Sequence, residues 1–227
     1  MFAKYFFEVE NALSHHDREG QGRGPRYLQL IILLCMHTFI REGVDTAIIE
    51  THHGGEYDST NFVEKPIVTA ITTLGLDHIK QLGSSLESIA WHKGGIFKRG
   101  ATVFSAPQET EAANMLRKRA SDLKVNLEFI DVESTLDDHT MQLKPEVQRT
   151  NSSVALAVAR SFLDQTTGQN STLTLSDVDQ GIKQFSWPGR FQTFDQNKFQ
   201  WFLDSAHNEM SIVIAADWFK EVCEDRK

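Results

Sequence analysis

One pattern constrains this chain more than any other. Short apolar, β-branched runs, each the length of one buried strand, alternate with stretches of helical periodicity. The runs are 46–50 (TAIIE), 66–74 (PIVTAITTL), 102–106 (TVFSA) and 126–131 (NLEFID). Between them, 85–92 and 109–123 read as helices, the second clearly amphipathic. Strand, helix, strand, helix is the order of a parallel sheet flanked by helices, which makes the expected class α/β.

Upstream of this pattern, 15–25 (HHDREGQGRGP) reads as a polar, glycine-rich loop. Pro25 opens an apolar helix over 25–41, and Gly43 stops it. Downstream, 133–144 reads as a loop or weak hairpin, 148–163 as a helix rich in Ala and Val, and 176–184 as another short helix. Trp187-Pro188-Gly189-Arg190 then breaks the pattern. A strand over 199–206, carrying Asp204, and a helix from Glu209 open a second α/β unit. The expected division is one domain over 1–189 and the start of another over 190–227.

Composition narrows the function classes. Hydrophobic residues are 40% and charged residues 24% of the 227, an ordinary balance that can bury a core. A net charge of -8 argues against a basic face that grips nucleic acid. Two cysteines, Cys35 and Cys223, make no disulfide framework and suit a reducing compartment. The longest apolar stretch, 27–40, is broken by Gln29 and His37 and falls short of the roughly 20 residues a bilayer span needs. No secretory or mitochondrial leader pattern is visible at the start. The expectation is a cytoplasmic protein, with a mitochondrial pool also compatible.

In parallel sheets, ligands bind beyond the carboxyl ends of the strands. The polar residues there are Glu50, Asp77, His78, Asp204 and His207. A carboxylate and an imidazole at neighbouring strand ends could share one Mg2+, which favours oxygen ligands and keeps water and phosphate in its shell. Each residue also has a plainer reading: a cap or ion-pair partner for Glu50, a hydrogen-bonded structural residue for His78, a turn residue for His207. The pair His52 and His53 lacks nearby cysteines and the HExxH spacing, so it does not point to zinc.

Several segments match one family in order along nearly the whole chain. Residues 50–61 (ETHHGGEYDSTN), 71–78 (ITTLGLDH), 89–96 (IAWHKGGI), 148–151 (QRTN), 187–190 (WPGR) and 203–208 (LDSAHN) resemble the folylpolyglutamate synthases of the Mur ligase superfamily, and 25–29 (PRYLQ) is similar to their eukaryotic, especially fungal, branch. The resemblance implies a Mur-ligase-like central ATP-binding domain plus the first strand-helix unit of a C-terminal Rossmann-like domain. It implies an ATP-dependent ligase of one-carbon metabolism. ATP phosphorylates the γ-carboxylate of a reduced folate, and the amine of L-glutamate attacks the acyl phosphate. The implied cofactors are ATP and Mg2+, with a monovalent cation such as K+ admissible. The implied partners are small molecules, with no nucleic acid, no stable membrane insertion and a monomeric chain.

Residue by residue, the resemblance makes Glu50 and His78 Mg2+ ligands. It puts Lys93 where the family often carries a carbamylated lysine, and the plainer reading of Lys93 is an exposed helix lysine. Gln148 and Asn151, one turn apart on one helix face, would touch the nucleotide; otherwise they are the polar face of a solvated helix. Arg190 and Asp204 would bind ATP, the guanidinium fork matching two phosphate oxygens. His207 would lie near the γ-phosphate or the incoming glutamate. Asp58, Thr60 and Asn61 are expected to hold the loop after Glu50.

The chain also departs from the family. No G-x-x-x-x-G-K-[ST] phosphate loop occurs in the 227 residues, so the expected reading is a chain truncated at both ends without the main grip on ATP phosphates. Smaller departures are Thr51, His52 and His53 in the first motif, Gly94 after the lysine, Ser152 after Asn151 and Ser205 after Asp204. A catalytically inactive fragment or pseudoenzyme is one alternative. A dihydrofolate synthase is another, and a peptidoglycan-precursor ligase is a third, disfavoured by the eukaryote-like 50–61 segment.

Overall fold

The computed structural model describes residues 2–17, 24–139, 142–168 and 172–224. The chain forms two compact units, Met1–Val63 and Glu64–Lys227.

The first unit is a helical hairpin followed by a loop. Helix α1 (Phe2–Asp17) carries Tyr5 and Val9 into a small core with Leu34 of α2 (Tyr27–Glu42). Polar pairs tie the two helices together: Tyr5 Oη donates to Glu42, and Glu8 Oε2 lies 2.7 Å from His37 Nε2. Helix α2 begins where the Gln29 side chain accepts the Arg26 amide at 2.9 Å. It ends at Gly43, whose φ of 66° lets its own amide and that of Val44 turn back onto Ile40 O and Phe39 O. The helix expected over 25–41 is thus present with its glycine stop. The loop expected over 15–25 is helical at its start, and 18–23 lie outside the described residues.

The run 46–50 corrects an expectation: it belongs to neither sheet. An apolar, branched run becomes a strand only through a ladder with a neighbour, and here Ile48 stands 95% exposed.

The second unit holds the sheet. Strands β1 (Val68–Ile71), β2 (Thr102–Ser105) and β3 (Leu127–Phe129) pair in parallel in the order β1-β2-β3. The register sets Val68 against Thr102 and Val103 against Leu127. Because side chains alternate, Ile71, Val103, Leu127 and Phe129 share one face. That face packs on α4 (Leu86–Lys93) and α5 (Thr110–Leu123) through Ala90, Ala112, Leu116 and Ala120, with Phe97 completing the core. The short helix α3 (Ile79–Leu82) leads into α4, whose first turn is capped by Ser85 Oγ accepting from the Ser88 amide at 3.1 Å.

The opposite sheet face presents Thr102, Phe104 and Glu128 toward α6 (Val147–Thr167). A cavity of about 610 Å3 lies between them. Beside it Arg160 grips Glu133 with two hydrogen bonds of 2.6 and 2.8 Å. The stretch expected to be a loop or weak hairpin over 133–144 contains a 3-10 turn over Ser134–His139, with 140–141 outside the described residues. Helix α7 (Leu175–Gln184) starts with a capping box, Thr174 with Asp177, and adds Val178 and Ile182 to a second small core with Leu136 and Leu143.

The chain then forms an antiparallel hairpin, β4 (Gln192–Gln196) with β5 (Phe199–Leu203), and ends in α8 (Glu209–Glu224). The strand and helix expected after the 187–190 break are present. Strand β4 and the turn at Asn197, with φ 58°, were not anticipated.

Candidate active site

The carboxyl ends of β1 and β2 are braced by one side chain. Gln108 accepts the Leu74 amide at 2.8 Å and donates to Thr72 O at 2.9 Å and to Ser105 Oγ at 3.0 Å. This fixes the loop that leaves β1 and leads to Asp77 and His78. The N-terminus of α8 closes on the same loop: a Cβ added at Gly75 would lie 2.8 Å from Met210 Cε.

Here the structure gathers polar groups from the two ends of the unit. Asp77 Oδ1 accepts the His78 amide at 2.7 Å, and His78 adopts a left-handed backbone with φ 50°. Asp77 Oδ2 lies 3.3 Å from His207 Nε2 and 3.4 Å from Asn208 Nδ2. His207 Nδ1 lies 2.9 Å from Ser205 O. Both ring nitrogens thus face oxygen atoms, an arrangement that only the imidazolium satisfies with two N–H donors. The Ser205 carbonyl first, and the Asp77 carboxylate second, raise the His207 pKa above its ordinary value, against partial desolvation and the Arg190 charge. Partial burial works to raise the Asp77 pKa, yet the His78 amide, the His78 and His207 rings and the Asn208 amide together hold it below the ordinary carboxylate value.

Arg190 sits on the turn after Trp187, its guanidinium carbon 5.5 Å from the indole centroid. No carboxylate pairs with it among the described residues. Asp204 spends both oxygens on backbone amides, accepting from Phe191 at 2.9 Å and from Ala206 at 2.7 Å, and so holds the turn that presents Arg190. Lys93 is partly buried at the last position of α4, not the exposed helix lysine of the plainer reading. Gln148 is 4% exposed, and Asn151, one turn on, is half-buried, so this face of α6 is not simply solvated.

Glu50 belongs to the first unit, exposed at the start of the loop that runs to Asn61. Asp58 organises that loop. It accepts from the His53 amide at 2.6 Å, the Thr60 amide at 2.8 Å and Thr60 Oγ1 at 2.7 Å, while Asn61 Nδ2 donates to Glu56 O. Burial works to raise its pKa, but the Thr60 and His53 hydrogen bonds outweigh burial and lower it. These residues hold the loop, as expected from the sequence.

Glu50 lies in the first unit and His78 in the second; of the two side chains, the carboxylate is the donor that suits Mg2+, which favours oxygen ligands. Among the described residues no group of three or more His, Cys, Asp or Glu side chains is gathered to hold a metal ion. Sequence reasoning placed Asp77 at a strand end but gave it no role, and it left Asn208 out of the site. Both lie within recognisable motifs. Their contact joins positions 131 residues apart, which no local pattern announces.

No family profile matches the chain. The folylpolyglutamate synthase of Neurospora crassa is 37% identical over 98% of this chain and 44% of its own length. That of Saccharomyces cerevisiae is 35% identical over 97% of this chain and 43% of its own length. The chain therefore spans less than half the length of the curated relatives it matches. Among solved structures, the apo form of L. casei FPGS superposes with a TM-score of 0.82 at 24% identity, covering 97% of this chain and 58% of that one. A folylpolyglutamate synthase of Mycobacterium tuberculosis complexed with ADP and AMPPCP gives 0.80 at 20% identity, covering 96% and 54%. At these identities the structures establish a shared fold.

Proposed function

Because the chain is a homologue of the folylpolyglutamate synthases along less than half of their length, we propose that it carries part of the machinery of an ATP-dependent ligase joining L-glutamate to the γ-carboxylate of a reduced folate. The observation that carries this reading is the placing of the His207 ring, 3.3 Å from Asp77, and the Arg190 guanidinium near the carboxyl end of β1. A similar protein, L. casei FPGS, has been solved as an AMPPCP-folate complex, which supports the substrate class.

The chemistry asks for such groups. A carboxylate is a poor electrophile, and a phosphoryl group converts it into an acyl phosphate with a good leaving group. Anionic charge builds on the transferring group, and fixed cations stabilise it. Arg190, its guanidinium lying over the Trp187 ring, would offer its N–H groups to phosphate oxygens. His207, held between Ser205 O and Asp77, offers positive charge to the phosphate or to the glutamate carboxylate. Glu50 and His78 are the residues that would hold Mg2+, by family resemblance. When bound, the ion would offset phosphate charge. Lys93, carbamylated, would add an anionic oxygen anchor. Gln148 and Asn151 would contact the nucleotide, and Asp204 would keep the Arg190 turn in place. Residues 1–189 would form the ATP-binding part and 190–227 the beginning of a second domain. The substrates are all small molecules, and the chain would act as a monomer.

A second reading is a chain that keeps the site without turnover. Release of ADP by the purified chain separates them, with MgATP, tetrahydrofolate and glutamate supplied. Release that requires glutamate and disappears in Arg190→Ala supports the ligase. A folded chain that releases none sinks that reading for the chain by itself. Dihydropteroate substituted for tetrahydrofolate tests the dihydrofolate synthase alternative in the same assay.

A further inference from the structure

We propose that Asp77 is a positioning residue, aiming the His207 ring and the Asn208 amide from the loop after β1 into the candidate site. This rests on the ligase reading for what the aimed groups act upon, and on geometry for the aiming.

One carboxylate serves three neighbours. Its Oδ1 takes the backbone amide of His78 at 2.7 Å. Its Oδ2 takes His207 Nε2 at 3.3 Å and Asn208 Nδ2 at 3.4 Å. The other end of each partner is also fixed. His207 Nδ1 is anchored 2.9 Å from Ser205 O, so the imidazole is held at both nitrogens and cannot rotate about its side-chain bonds without losing one. Asn208 Oδ1 accepts from the Ser211 amide at 2.9 Å and from Ser211 Oγ at 2.8 Å, which caps α8 and leaves only Nδ2 to reach Asp77. The amide orientation is therefore fixed by Oδ1 accepting from Ser211 and Nδ2 donating to Asp77. Asp77 thus locks a left-handed residue in the β1 loop, one ring edge and one helix cap in a single arrangement. Groups that orient a reacting side chain commonly matter nearly as much as that side chain.

A purely structural pin would act on α8 as a whole; an aiming residue acts through His207. The 227-residue chain, labelled with 15N and 13C, reads the difference at one fixed pH. In Asp77→Asn, the ring signals of His207 and the side-chain signals of Asn208 should move, while those of His37 and His139 stay. Glutamate-dependent ADP release should fall by about 10- to 100-fold. The double variant D77N/H207Q should be no slower than H207Q alone to within about twofold, because the two changes remove one interaction. Unmoved His207 signals, or losses that multiply, would overturn the proposal. If the wild-type chain releases no ADP, the ligase reading fails, and the ring spectrum alone decides the aiming. If D77N does not fold, H207Q examines the contact from its other side: the carboxyl carbon signal of Asp77 should shift, and a signal that stays put overturns the proposal.

Discussion

The smallest element of order in the first unit is the carboxylate of Asp58, whose side chain is 3% exposed. It satisfies three donors at once, two backbone amides and one hydroxyl. Asp58→Ala leaves all three without an acceptor in a nearly closed site and should cost about 1–3 kcal/mol in urea unfolding. The sign with pH follows from its lowered pKa. A folded value below the unfolded value of about 4 gives stability that is complete above that pH and is lost as pH falls through the folded value. The difference between wild type and variant should therefore shrink in acid, and a difference that stays constant down to the acid transition would contradict the assignment. At this scale the sequence was informative where chemistry is local. Asp58, Thr60 and Asn61 were legible as loop holders because an Asp two residues before a Thr makes a short-range turn. The contacts Asp77–His207 and Asp204–Phe191 were not legible, because they depend on how distant segments meet.

Elements were legible in proportion to their periodicity. Helix α5 and strands β1, β2 and β3 fall where apolar spacing put them, and Gly43 ends α2 as a C-cap should. The run 46–50 has the composition of a strand but no ladder partner, and composition cannot supply one. Helix α1 was missed because its aromatic residues lie close together and give a weak signal, and β4 because its alternation, Gln192 to Gln196, is mostly polar on one face. The two-residue turn Asn197-Lys198, with Asn197 in the left-handed region, is the signal that would have found the hairpin. What holds that hairpin to α8 is Trp218, 5% exposed, with its ring 5.5 Å from Phe191 and 5.7 Å from Phe202. Trp218→Ala opens a cavity at the centre of this packing and should cost about 3–5 kcal/mol. Near-ultraviolet dichroism during thermal unfolding should show the aromatic signal of this region lost first. A loss under about 1 kcal/mol would mean that the hairpin needs no anchor on α8.

At the scale of the whole molecule, the class of fold was legible and the extent of exposed apolar surface was not. The β4–β5 hairpin has two faces. Phe202 turns toward Trp218 and Phe219 of α8, while the cross-strand neighbours Phe194 and Trp201 stack on the other face, 38% and 47% exposed, beside Phe199 at 69% and Leu203 at 42%. Such an apolar face, carried by strands, is a sticking surface unless something opposes contact. Here the opposing factor is charge: the chain carries -8 at pH 7, with an isoelectric point near 5.6. Repulsion between copies fades as pH approaches that point, whereas apolar attraction hardly changes. Light scattering at fixed protein concentration should therefore rise as pH is lowered from 7 and peak near 5.6. Trp201→Lys removes the stacked ring and puts a cation on the face, so its scattering should be well below wild type across that range while its helix content is retained. Scattering that is flat with pH, or equal in the two proteins, would place the association elsewhere and leave the hairpin face as ordinary solvated surface.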